Sequence, residues 1–323
     1  MSIDIFECSE NPLFSIITPT FKRPEFLARN IRSVINQTYN TFEHIIIDDA
    51  NDSTTEKLID SFGDERIKLV KHEKSKGAAA SYNSGLRKSC GKFVLFLDDD
   101  DEYMPFFLEK MHKCFISEDM ELGFVWSGIS KIEDTDDGEI ALYSRVWPGD
   151  FSKKENGIIA ATSIGNGFGL CVRRECFGKI GFYDESLKIG EDTDLLFRLT
   201  MNFKFKTIPD VLVKIHQHKF NQLTGEENYL DKIRGMEIIL ERYRDFLKQY
   251  PKVFAVHYSA YARLCYRYKL NKNGRAAIAE IVLNQPANIK TYFNFISYEL
   301  TGKSISDTFF GKTINLLFKR RIN

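Results

Sequence analysis

The sequence predicts an α/β fold, a mainly parallel sheet with helices on both faces, followed by a helical C-terminal region. Three observations carry that expectation. Strand-like and helix-like patterns alternate through the first hundred residues, the run Lys92–Leu97 is apolar nearly throughout, and past Gly225 the apolar residues keep helical spacing. Such alternation implies right-handed crossovers between parallel strands, with helices packed on the sheet.

Phe14–Thr18 is a short apolar run, and Pro24 stands at a first helical position before Leu27, Ile31, Val34 and Ile35, which share one helix face. The strand His44–Ile47 ends in Asp48-Asp49, and Ser53 is the expected cap of a helix through Leu58 and Ile59. Ile67–Val70 is a third strand, Ala78–Lys88 a third helix and Lys92–Leu97 a fourth strand, apolar as a strand covered on both faces must be. From Leu122 the pattern becomes mixed: short strands over Gly123–Ser127, Gly169–Val172 and Lys206–Ile208, and one helix over Asp192–Met201. Tyr229, Ile233, Met236, Ile239, Leu240, Tyr243 and Leu247 then follow helical spacing, Asn271–Gly274 reads as a turn, and Ala276–Leu283 as a further helix. The expected organisation is a first domain over 1–225 and a helical region over 226–323.

With 323 residues, 45 Lys and Arg against 45 Asp and Glu, and 43% hydrophobic residues, the chain can bury a sizeable core and is not a disordered sequence. It contains no run near the ~20 apolar residues of a spanning helix, and Met1–Glu7 lacks the pattern of a signal peptide, so a cytoplasmic location is expected. The 6 cysteines are scattered without a Cys-x-x-Cys pair, which predicts free thiols rather than a zinc site or a disulfide framework. From Pro251 onward 12 Lys and Arg face 3 Asp and Glu, a balance of +9. The end, Phe309–Arg321, mixes large apolar residues with cations and so favours an anionic membrane surface over nucleic acid; an ordinary docked terminal helix is the alternative.

In an open α/β sheet the ligand crevice lies beyond the carboxyl ends of the strands. Three polar segments fall there, Thr18–Arg23, Asp48-Asp49 and Asp98–Asp101, and they should converge on one edge. Four consecutive aspartates repel one another unless a cation is present, and oxygen ligands select a hard ion, Mg2+, Mn2+ or Ca2+; the first two complete their shells with water and substrate phosphates, so a diphosphate is the natural partner. Asp49 suits a hydrogen bond from a base or sugar, or equally a helix cap or Asx turn. No G-x-G-x-x-G follows the first strand and no P-loop occurs, which argues against nicotinamide, flavin and P-loop chemistry. The helix start Gly190-Glu191-Asp192-Thr193-Asp194 offers carboxylates that serve either as dipole partners or as a base for an attacking hydroxyl, and His216 and His218 are candidates to complete a metal shell.

Taken together, Phe14-Ser-Ile-Ile-Thr-Pro-Thr-Phe, Ser33-Val-Ile-Asn-Gln-Thr-Tyr, His44-Ile-Ile-Ile-Asp-Asp, Phe96-Leu-Asp-Asp-Asp-Asp and Gly190-Glu-Asp-Thr-Asp-Leu resemble, in order, a family 2 glycosyltransferase of the GT-A fold, over about residues 12 to 225. The resemblance extends to bacterial members that build surface polysaccharides. It implies inverting transfer from a nucleotide-diphosphate sugar, a UDP-sugar in the first place, to a glycan or lipid-linked acceptor, with Mg2+ or Mn2+ as cofactor. Carried over by position, Pro19, Thr20 and Phe21 would line the nucleotide, Asp49 its base, Asp98 or Asp99 the ribose and sugar, and Asp100 the metal. Asp192 would be the base with Glu191 beside it at the acceptor, and His218, favoured over His216, would contact the metal or diphosphate. One departure stands out: Gly77-Ala-Ala-Ala-Ser-Tyr82-Asn83 has Tyr where relatives commonly have Arg, so Arg23, Lys74 or Lys76 would have to supply the cation near the donor. A non-catalytic nucleotide-sugar-binding scaffold on the same fold and a nucleotidyltransferase are the alternatives.

Overall fold

Strand pairing follows the apolar runs. In the computed structural model, which describes residues 12–117, 122–135, 138–146, 157–159, 162, 169–218, 226–285 and 289–301, β1 (Phe14–Thr20), β2 (Phe42–Asp48), β3 (Ile67–Lys71) and β4 (Phe93–Phe96) lie parallel in the order β3-β2-β1-β4. The connections are α1 (Pro24–Ile35), α2 (Ser53–Phe62) and α3 (Ala78–Lys88). β2 and β3 are laid to one side of β1 and β4 to the other, so the chain reverses its direction of build between β1 and β4, the place where open α/β sheets form their crevice.

After β4 come β5 (Glu102–Tyr103), α4 (Phe107–Ile116), β6 (Leu122–Thr135), β7 (Gly138–Arg145), β8 (Leu170–Arg173), α5 (Cys176–Ile180), α6 (Glu191–Asn202) and β9 (Lys204–Gln217). They extend the sheet to β3-β2-β1-β4-β8-β6-β9-β5, with β7 paired to β6. β8 is antiparallel to both β4 and β6, which returns β6 and β9 to the direction of β1, so β9 also ends at the crevice edge. β5 pairs with β9, Glu102 opposite Lys214, and ties the chain just after the aspartates to that strand.

Period-two alternation divides the core. Phe14, Ile16, Phe93, Leu95 and Leu97 pack with Phe107, Met111 and Phe115 of α4, while Ile17, Val94, Phe96, Phe124 and Trp126 pack with Leu86 of α3 and Leu195, Leu196 and Leu199 of α6. The α3 packing is close enough that a Cβ on Gly85 would stand 2.3 Å from Ile17 Cγ2.

Several local expectations need correction. The cap of α2 is Asp52, whose carboxylate accepts from Thr54 N at 2.9 Å, and Ser53 is the first helical residue. Asn271–Gly274 is the first turn of a helix and not a loop, and the helix from Tyr229 breaks at Tyr243. Cys114, Cys171, Cys176 and Cys265 are thiols outside any disulfide, but Cys90 is disulfide-bonded, since folding pairs cysteines that sequence spacing does not relate. Lys131–Thr135 and Gly138–Arg145 form the β6–β7 hairpin, and most of 146–168 lies outside the described residues.

The chain divides into two compact units, the first within residues 1–152 and 160–221 and the second within 153–159 and 222–323. The second contains α7 (Tyr229–Arg242), α8 (Arg244–Lys248), α9 (Pro251–Arg267), α10 (Asn271–Asn284) and α11 (Ile289–Thr301). Phe254, Ala262, Cys265, Ile278 and Ile281 are buried there, Tyr266 stacks on Tyr298 with ring centroids 4.5 Å apart, and Arg244 pairs with Glu280. No described helix is long and apolar enough to cross a membrane.

Candidate active site

The register of β1 places Thr20 opposite Asp48 and Ile17 opposite Phe96, so the chain leaving β4 passes alongside the end of β1. Thr20 Oγ1 donates to Asp99 Oδ2 at 2.6 Å, joining the first polar segment to the aspartate run. Arg23, one step beyond, pairs with Asp99 Oδ1 at 2.6 Å and Asp100 Oδ2 at 3.1 Å. Of the three lysines and arginines suggested by sequence, Arg23 is thus the one that reaches these carboxylates. Pro19 is half-buried between these contacts, whereas Phe21 is 47% exposed at the lip.

A polar residue on a buried helix face holds the turn. Asn30, on the stripe with Leu27, Ile31 and Val34, is fully buried and donates to the carbonyls of Asp98 at 2.8 Å and Asp101 at 3.2 Å, and Arg29 donates to that of Asp100 at 2.9 Å. Neither was foreseen, though an Asn on an otherwise apolar helical stripe is a readable signal, because a buried amide needs partners.

The aspartates do not share one environment. Asp99 is turned inward onto Thr20 and Arg23, and burial pushes its pKa up to about 7 against the Arg23 charge. Asp98 accepts from the Tyr82 phenol and is raised to about 6 by burial and then by Asp100. Asp101 is raised well above the carboxylate range by burial and by Asp100 and Asp98; its Oδ1 takes the His216 N–H at 3.0 Å, while its buried Oδ2 has no hydrogen bond among the described residues. Asp98, Asp100 and Asp101 each bring an oxygen within 4.8 Å of the others. An orphaned carboxylate oxygen, protons held against repulsion and three convergent oxygens fit a hard divalent cation.

The two histidines separate. His218 Nε2 lies 2.9 Å from Asp100 Oδ2 with its ring stacked on Phe26, centroids 4.4 Å apart. His216 is buried between Asp134 at 2.7 Å and Glu102 at 2.9 Å and is not brought to Asp100.

Asp49 sits at the end of β2, but both its oxygens are engaged. Oδ1 accepts from His72 Nδ1 at 2.7 Å and Lys76 N at 2.8 Å, and Oδ2 from Ser75 Oγ at 2.7 Å and Gly77 N at 3.0 Å. Despite burial, these four contacts lower its pKa. The open acceptor expected for a base is therefore absent: Asp49 orders the 72–77 segment instead, and a base would have to displace one of these donors.

The α6 start faces the same edge. Asp194 is buried and paired with Arg198 Nε at 2.8 Å, and Arg198 donates to the Ile180 carbonyl at 2.8 Å; this acid anchors the helix. Glu191 and Asp192 are left half-buried in the first turn. Burial, and then the charge of Asp98, pushes Glu191 up to about 7, and Asp192 acts electrostatically on Tyr82 and Tyr183, so the helix start and the aspartate run share one electrostatic neighbourhood. The structure thus gathers Thr20, Arg23, Asp98, Asp99, Asp100, Glu191, Asp192 and His218, with Pro19 and Phe21 at the rim and Asp49 holding a neighbouring segment.

Known proteins resemble this chain in sequence and in fold. An uncharacterized glycosyltransferase of Haemophilus influenzae is 31% identical over 193 residues, 60% of this chain and 64% of that protein, so the chain spans just under two thirds of that relative. The Escherichia coli protein WfgD, a UDP-Glc:alpha-D-GlcNAc-diphosphoundecaprenol beta-1,3-glucosyltransferase, is 38% identical over 97 residues, 30% of this chain and 38% of its own. Residues 1–349 of S. aureus TarS, in a complex with UDP-GlcNAc, superpose over 90% of this chain and 92% of that one, with a TM-score of 0.58 at 17% identity, a likeness of fold. The sequence profile described as "Glycosyl transferase family 2" matches residues 15–181. The chain therefore belongs to glycosyl transferase family 2 and is a glycosyltransferase of GT-A fold.

Proposed function

We propose that this protein is an inverting, divalent-cation-dependent glycosyltransferase that moves a sugar from a nucleotide-diphosphate donor, a UDP-sugar in the first place, to a hydroxyl of a glycan or lipid-linked acceptor of a surface polysaccharide. The observation that carries this reading is the position of Glu191 and Asp192 at the same edge as the Asp98–Asp101 turn. The UDP-linked relatives named above support the choice of nucleotide. Residues 1–225 are assigned the catalytic part and 226–323 the helical part.

Pro19, Thr20 and Phe21 line the nucleotide, Arg23 offsets the diphosphate, and Asp98 and Asp99 lie on the ribose and sugar side. Mg2+ or Mn2+ would be held by Asp100 with Asp98, Asp101 and His218, and when bound it supplies Lewis-acid neutralisation of the departing diphosphate. Asp192 accepts the proton of the attacking hydroxyl on the face opposite the leaving group, and Glu191 orients that hydroxyl. Buried walls around Tyr82 and Tyr183 limit water at the sugar.

A thermal-shift screen against UDP, GDP, CDP and dTDP sugars with and without Mn2+ tests this assignment. One nucleotide class is expected to raise Tm only with metal, by about 4 °C or more at a hundred times Kd; no shift with any class would overturn it. Binding at the cytoplasmic membrane face is part of the proposal. Tyr292, Phe293 and Ile296 of α11 are exposed, and the basic end beyond Thr301 lies outside the described residues. Removal of residues 305–323 is expected to abolish sedimentation with anionic vesicles, and unchanged sedimentation would count against it.

A further inference from the structure

Tyr183 is held on every side and yet leaves its functional atom unused. Its backbone N–H donates to Asn83 Oδ1 at 2.9 Å and its carbonyl accepts from Asn83 Nδ2 at 3.0 Å, so one amide clamps both of its main-chain polar groups. Its ring stacks on Tyr82 with centroids 5.1 Å apart at 22° and meets the edge of Phe96 at 5.2 Å. The residue is 4% exposed, but its hydroxyl has no hydrogen bond among the described residues. Tyr82, packed against it, does find a partner, Asp98, so a phenol in this wall can be satisfied by the protein.

Carboxylates from both halves of the site act on the Tyr183 hydroxyl, with Arg198 opposing them. After burial, Asp192, Glu191 and Asp98 in that order raise its pKa, so it stays a neutral donor. Leaving a buried hydroxyl unpaired destabilises the fold. A fixed donor of this kind, within electrostatic reach of Asp98, Glu191 and Asp192, is disposed toward an oxygen that arrives with substrate.

We propose that Tyr183 reads the transferred sugar, donating its phenolic hydrogen to one sugar hydroxyl, with Tyr82 and Asn83 as the residues that position it. This inference rests on the glycosyl-transfer reading above and deepens it. A site built to hydrogen-bond a substrate hydroxyl rejects a sugar that lacks or misplaces it, because the protein group is then left unpaired.

The test compares the full-length wild type with Tyr183→Phe, which removes one oxygen and keeps the ring. Each is titrated calorimetrically, with Mn2+, with UDP, UDP-glucose, UDP-galactose and UDP-N-acetylglucosamine, and its Tm is recorded. Wild type is expected to separate the three sugars, and Tyr183→Phe to shrink the widest ratio of affinities by about ten-fold. Its affinity for UDP alone should stay within about two-fold, because the nucleotide does not use the hydroxyl. Its Tm should be unchanged or higher, because an unsatisfied hydroxyl has been removed. A merely structural tyrosine would lower Tm and leave the ratios alone; that result, or full discrimination retained by Tyr183→Phe, overturns the inference while leaving the transferase reading in place. Failure of the wild type to bind UDP or any of the sugars would overturn the UDP-donor reading, and this inference with it.

Discussion

Asp192→Asn is expected to reduce sugar transfer by about 10²–10⁴-fold while leaving affinity for the donor within about two-fold. The change is nearly isosteric and removes the ability to accept a proton. Asp194, two residues on, cannot take over: it is buried and bound to Arg198, which in turn holds the Ile180 carbonyl, so its carboxylate serves the anchoring of α6. Glu191 is the only other acid in the first turn of α6, and burial with the Asp98 charge pushes it up to about 7. At neutral pH a sizeable fraction of it carries a proton and accepts none, so the residual rate of the variant should rise with pH through about 7, and this rise measures how far Glu191 substitutes. The assay is nucleoside-diphosphate release with acceptor present, beside calorimetric donor binding. Wild-type rates would remove Asp192 from the role of base, and donor binding lost along with transfer would make it a binding residue instead.

Much of this was legible in the sequence where one physical cause dominates a local stretch. β1, β2 and β4 are buried on both faces, so their apolar runs announce them, and the strand order makes the segments after β1 and β4 meet. β7 escaped notice because all its residues are exposed, so no alternation of buried and exposed positions marks it. Asn271-Lys-Asn-Gly274 has the composition of a turn, but tertiary packing decides otherwise: a Cβ on Gly274 would lie 2.7 Å from Tyr266, so the glycine serves a close helix contact. The aspartate run was readable for the same reason as the strands, since its anomaly is local. The engagement of Asp49 by His72 and Ser75, and the clamp of Asn83 on Tyr183 a hundred positions away, were not, because no spacing rule relates residues brought together only by the sheet.

The second large effect concerns the metal and pH. Mn2+ is expected to raise Tm by about 5 °C at pH 7.5 and by less than about 1 °C at pH 5. Burial pushes Asp98 up to about 6 and Asp99 up to about 7 against an ordinary 3.8, and raises Asp101 well above that ordinary value. The folded chain therefore binds these protons more tightly than the unfolded chain. Their contribution to stability is full below an ordinary carboxyl pKa of about 4 and is lost as pH rises through the folded values. His44 and His257 act in the opposite sense: burial lowers them from 6.5 to about 3 and about 4, so the stability they contribute is present above 6.5 and lost as pH falls through those values. The pH dependence of Tm without metal thus mixes two opposed slopes, whereas the increment from Mn2+ isolates the metal site, because the ion binds only once the protons on its ligands leave. Melting curves in EDTA and in Mn2+ at half-unit steps from pH 5 to 7.5 measure that increment. An increment that is the same at both ends of the range would mean that the ion binds elsewhere, and none at pH 7.5 would mean that the Asp98–Asp101 turn is stabilised by Arg23 and His218 without a metal.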